Sequence, residues 1–171
     1  MVGMRRWVVA LTSAAILTSG SLVAASPASA DPVGPEISYK YSVSVLSTST
    51  GYRGSQLATC SAGTGGTCSF SWTKTVSRTI ELSLGASRSF VAGQLSWSSG
   101  SSVSVTAACT SPKFTSNNQI YRAYAQGTRK TYKITRKTYM GKINPKLIAT
   151  ETSGTRVAFN PTGVACAMGT K

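Results

Sequence analysis

The chain has 171 residues, with 18 Lys and Arg, four Asp and Glu and no His, for a formal net charge of +14. The missing histidines exclude a Ser-His-Asp or Cys-His nucleophile, a zinc site built on imidazole and an imidazole pH switch. Four carboxylates leave little for paired-acid chemistry or a calcium cage, and no cofactor is expected.

Residues 1–30 read as a secretory signal peptide. Arg5 and Arg6 form a positive start, and the apolar run from Trp7 to Ala25 follows, broken by Thr12, Ser13, Thr18, Ser19, Gly20 and Ser21. Ala28-Ser29-Ala30 closes it with a small-residue cleavage pattern. The broken run and the cleavage pattern argue against a transmembrane anchor, and no other segment is apolar enough to span a bilayer as a helix. Cleavage takes 30 of the 171 residues and two of the 18 basic ones, leaving one domain, residues 31–171, of net charge +12. The expected location is extracellular.

The domain has a period of two. Ile37, Tyr39, Tyr41, Val43 and Val45 alternate with Ser38, Lys40, Ser42 and Ser44 in a first strand, which Pro32 and Pro35 lead in extended form. Ile37, Tyr39, Tyr41 and Val43 are a candidate edge for pairing with another subunit, or they pair within their own sheet. A Gly-rich loop from Cys60 to Cys68 comes next. Phe70, Trp72, Val76, Ile80, Leu82 and Leu84 then share one parity, with Lys74 and Arg78 among them, while Ser71, Thr73, Thr75, Ser77 and Thr79 take the other. Leu95, Trp97, Val103, Val105, Ala107 and Cys109 continue the pattern. Two long arms joined near Ser87–Phe90 would form a Ser/Thr-rich amphipathic hairpin; a helix over 76–95 is the alternative. Ser111-Pro112 ends the second arm. Gln119–Ala125 and Thr131–Tyr139 read as shorter strands around a Gly127 turn. Gly141 and Asn144-Pro145 make a further turn. Ser153-Gly154 signals a hairpin between Leu147–Thr152 and Thr155–Asn160. Asn160–Gly163 fits a type I turn, and Val164–Met168 is the last strand. The fold class is therefore all-β: an antiparallel sandwich or extended sheet with a long hairpin.

Cys60, Cys68, Cys109 and Cys166 all follow the signal, and an even count in an exported chain reads as two disulfides. Of the three connectivities, Cys60–Cys68 and Cys109–Cys166 is favoured. The first closes the Gly-rich loop, and the second joins the ends of two strand-like runs. With no CxxC spacing and no His, no metal site is expected.

Catalytic candidates are few. Asp31, Glu36, Glu81 and Glu151 are scattered, no GxSxG or SxxK serine arrangement occurs, and Gly63, Gly65 and Gly66 precede no Lys-Ser and no helix. The segment 122–146 is basic and acid-free: Arg122, Arg129, Lys130, Lys133, Arg136, Lys137, Lys142 and Lys146, interleaved with Tyr124, Tyr132 and Tyr139. Such a face suits an anionic cell-surface polymer, lipid headgroups or an acidic protein better than nucleic acid, given export. A solvated face that discourages edge pairing is the plainer use.

The hydroxyls Thr73, Thr75, Ser77 and Thr79, with Ser96, Ser98, Ser102 and Ser104, resemble the stem of aerolysin-type β-pore-forming toxins. That likeness implies a hairpin, residues 70–107, that inserts into membranes. Through Thr79-Ile80 to Leu84-Gly85, Cys109-Thr110-Ser111-Pro112 and Tyr132-Lys133-Ile134, the domain also resembles small disulfide-bonded β proteins exported by actinomycetes such as Streptomyces. Some of these are adaptor subunits of the antibacterial umbrella toxins. That second likeness implies a non-enzymatic protein that binds other secreted subunits, and it is the favoured expectation; the pore former is the alternative.

Overall fold

The computed structural model describes Gly34 and residues 36–171. The expected signal peptide, Asp31, Pro32 and Pro35 lie outside the described residues. The elements in chain order are β1 (Ile37–Cys60), β2 (Ser69–Ser77), β3 (Thr79–Ile80), α1 (Arg88–Gln94), β4 (Ser102–Thr110), β5 (Gln119–Met140), β6 (Lys146–Thr152) and β7 (Arg156–Thr170). The fold is an extended antiparallel sheet in the order β1-β5-β7-β3, with β6 also on β5, and a separate β2–β4 ribbon.

β5 is the spine. One side pairs with β1 from Ile37↔Met140 to Cys60↔Tyr121. The other pairs first with β7, from Gln119↔Thr170 to Tyr132↔Arg156, and then with β6, from Thr135↔Thr152 to Met140↔Lys146. Gly127 is not a turn but lies inside this 22-residue strand. A Cβ there would sit 2.0 Å from the Asn160 carbonyl oxygen, so the close approach of β7 requires glycine. Asn160–Gly163 is likewise no turn. Pairing steps from Gln126↔Gly163 to Gly127↔Pro161, leaving Thr162 as a bulge, where a strand proline is tolerated.

Ser153-Gly154 does not make a hairpin either. β6 and β7 run in the same direction along one side of β5. Ser153 carries the ladder across the gap: its N–H donates to the Ile134 carbonyl (2.8 Å) and its Oγ accepts from the Ile134 N–H (2.9 Å). The Gly141–Pro145 turn does join β5 to β6 as expected.

The long hairpin is shorter than its pattern. β2 and β4 pair from Ser69↔Thr110 to Ser77↔Ser102 and no further. The chain between them adds β3 to the edge of β7, reverses at Leu84 (φ 55°) and Gly85 (φ 78°), and forms α1. Ser87 caps that helix, its Oγ accepting from the Phe90 N–H at 3.3 Å. Ser96 (φ 60°) follows its end. Val91, Ala92 and Leu95 are buried at helical spacing, which is the packing that overrides the strand-like Ser and Val content.

The ribbon and α1 cover opposite faces of the sheet. Side chains alternate along β5. Tyr121, Ala123 and Ala125 meet Phe70, Val76, Val105 and Ala107 of the ribbon, whereas Tyr132 and Ile134 meet Val91, Ala92 and Leu95 of α1. Phe70 stacks on Tyr121, with ring centroids 5.5 Å apart. Lys74, the cation among the ribbon's apolar positions, reaches out to donate to the Leu57 carbonyl at 2.9 Å. Both disulfides have the expected pairing, Cys60–Cys68 and Cys109–Cys166. The second fastens ribbon strand β4 to sheet strand β7. No helix among the described residues is long and apolar enough to cross a membrane.

Candidate interaction surfaces

The ribbon and the helix sit on opposite faces and meet different stretches of β5, so each leaves part of its face uncovered. β5 alternation divides the basic segment between them, so its eight cations do not form one face. Arg129, Lys133 and Lys137 point to the ribbon's side, beyond the ribbon. Arg122, Lys130 and Arg136 point to the other.

Each of the latter three is held by local contacts. Lys130 donates to the Leu95 carbonyl at 2.7 Å and lies over the Trp97 ring. Arg136 donates from Nε to Glu151 at 2.9 Å and from Nη1 to the Leu84 carbonyl at 3.3 Å. The Glu151 hydrogen bond raises the Arg136 pKa above its ordinary value. Arg122 donates to the Thr170 carbonyl at 2.8 Å. Lys142 lies in the β5–β6 turn, and Lys146 starts β6 opposite Met140.

The ribbon-side remainder is the freer cationic surface. Lys137 faces Lys40 directly across the β1–β5 ladder, Lys133 faces Ser44, and Arg129 faces Ser49. Lys40 lies over the Tyr139 ring and Arg129 over Tyr52. Hydroxyl pairs fill the spaces, Ser47 with Thr131 at 2.6 Å and Thr135 with Thr152 at 3.1 Å. With both tyrosine rings capped by cations, this face offers phosphates or carboxylates a charged bed and offers bases little to stack on. Sequence reasoning left Lys40 out, although it stands on the polar parity of the first strand.

Of the edge residues, Tyr41 and Val43 pack toward α1, and the Tyr41 hydroxyl donates to the Leu84 carbonyl at 3.1 Å. Ile37 and Tyr39 are exposed. What β1 leaves open is its backbone, since β1 is the terminal strand of the sheet and only its β5 side is paired among the described residues.

The acids are dispersed. Glu81 accepts from the Val157 N–H at 2.9 Å, Glu151 pairs with Arg136, and Glu36 is exposed. The Tyr132 hydroxyl donates to the Glu81 carbonyl, and burial, with the Glu81 charge second, pushes its pKa up to about 12. Among the described residues no group of three His, Cys, Asp or Glu is placed to hold a metal ion. A 380 Å³ depression where ribbon meets sheet is lined by Ser55, Leu57, Thr75, Val76, Ser77 and Phe159, so it brings no charged group to a bound molecule.

Compared with known protein families and with curated proteins, the chain matches none.

Proposed function

We propose that this is an exported, non-enzymatic β protein that works by binding other proteins, as an adaptor or structural subunit of an extracellular, toxin-type complex. The observation that carries the reading is the outer side of β1. A 24-residue terminal strand whose outer side no other strand pairs among the described residues offers main-chain donors and acceptors to a partner strand. The two disulfides suit an oxidising compartment. The dispersed acids support binding rather than reaction.

The pore-forming alternative is less well supported. The ribbon's apolar side is spent on the core, and Cys109–Cys166 ties it to β7. Insertion would first require breaking that attachment.

Purification from native culture supernatant without disrupting complexes tests the proposal. Stoichiometric co-purification with larger exported proteins is expected. Recovery as a lone monomer at native abundance overturns it.

A further inference from the structure

Exposed apolar side chains gather at one end of the sheet. Ile37 (50%), Tyr39 (51%), Met140 (39%), Leu147 (51%) and Ile148 (50%) stand around the β5–β6 turn, and Ile143 at the turn itself is 86% exposed. The turn is well built: Gly141 takes φ 108° and Asn144 φ 56°, and the Gly141 N–H donates to the Glu36 carbonyl at 2.9 Å. An 86% exposed isoleucine on such a turn contributes nothing to the core, and burial there would be favourable if a partner supplied it.

These side chains lie on both faces of the sheet and on the turn between β5 and β6. Ile37, Tyr39 and Met140 point to the helix side of the sheet, Leu147 pairs with Tyr139 on the ribbon side, and Ile143 sits at the apex. Lys40, Lys137, Lys142 and Lys146 surround them, against the exposed Glu36; Glu151 is already paired with Arg136. A second copy would bring the same lysines together, so self-association through this end is opposed by charge. An anionic bilayer satisfies both parts, with acyl boundary around the apex and lipid phosphates beside the lysines. Entry must be shallow, because the outer edges of β1 and β6, which no strand among the described residues pairs, cannot go unpaired into hydrocarbon.

We infer that this end, with Ile143 at its apex, is a docking site for an anionic lipid surface. The inference is independent of the adaptor reading, which the supernatant purification tests by itself. The experiment uses disulfide-bonded protein with phosphatidylcholine vesicles, with and without phosphatidylglycerol. Co-sedimentation is expected only with phosphatidylglycerol. It should weaken on the order of 10-fold or more in I143D/L147D, and similarly in K142Q/K146Q. Ile143→Trp, a change at an exposed position that leaves the core intact, should show blue-shifted emission on those vesicles. Absence of binding, unchanged binding by I143D/L147D, or I143W emission that does not move while the protein pellets would each overturn the inference. So would a lipid-free oligomer that I143D/L147D dissociates, since the end would then be a protein contact.

Discussion

Lys40 and Lys137 are direct partners across the β1–β5 ladder, both exposed, and neither is in an ion pair among the described residues. Like charges facing one another across strands are destabilising. Lys137→Thr is therefore expected to raise stability by roughly 0.2–1 kcal/mol in urea denaturation while weakening attraction to polyanions. Binding to a soluble polyanion should fall steeply with salt. It should fall further in R129Q/K133Q than in R122Q/R136Q, because only the first pair lies on the Lys40 face. Equal effects from the two pairs would refute the division of the basic segment between faces.

Tyr132 predicts a component of alkaline unfolding. Its phenol titrates near 12 in the fold, against an ordinary value of 10.0. Below pH 10 the group is neutral folded or unfolded, and its contribution to stability is complete. As pH rises from 10 to 12 the unfolded chain loses the proton first, so stability falls, by up to about 2–3 kcal/mol. Tyr132→Phe should flatten that part of the pH–stability curve. An unchanged slope in the variant would contradict this.

The two disulfides should differ in weight. Cys109–Cys166 spans 57 positions and Cys60–Cys68 spans 8. Loop-closure entropy gives about 4 kcal/mol for the first and about 2.5 kcal/mol for the second. Paired Cys→Ser variants, compared by denaturant midpoint, should follow that order.

Gly127→Ala should cost about 3 kcal/mol or more, since its Cβ would meet backbone rather than a yielding side chain. Gly154→Ala, where nothing lies within 4 Å of the added atom, should stay within about 0.5 kcal/mol. Thermal melts of the two variants make the comparison.

The all-β class and the disulfide pairing were legible in the sequence, because period two and cysteine position are local signals. Strand ends were not. Gly127, Ser153-Gly154 and Pro161-Thr162-Gly163 carry turn chemistry, yet each lies where β5 and its neighbours approach closely, bridge a gap or bulge. Tertiary pairing decides such positions. The basic segment was visible as composition. Its division was not, because a strand sends successive cations to opposite faces and Gly127 makes the single β5 strand resemble two shorter ones. The exposed end around Ile143 needed the fold, since Ile37 and Met140 meet only through the β1–β5 ladder.

The β1–β5 ladder also orders how the molecule can be made. β1 has its whole length matched to a strand that lies far beyond it, Ile37 waiting for Met140 and Cys60 for Tyr121. β5 and β6, by contrast, are joined by the Gly141–Pro145 turn. A chain released from its N-terminus thus shows its longest strand before any mate exists, and the nonlocal match is slow to find. β5 and β6, with β7 following β6 along the same side of β5, are placed to form first and receive β1 afterwards. The serines and threonines of β1 would then keep the waiting strand soluble during the interval.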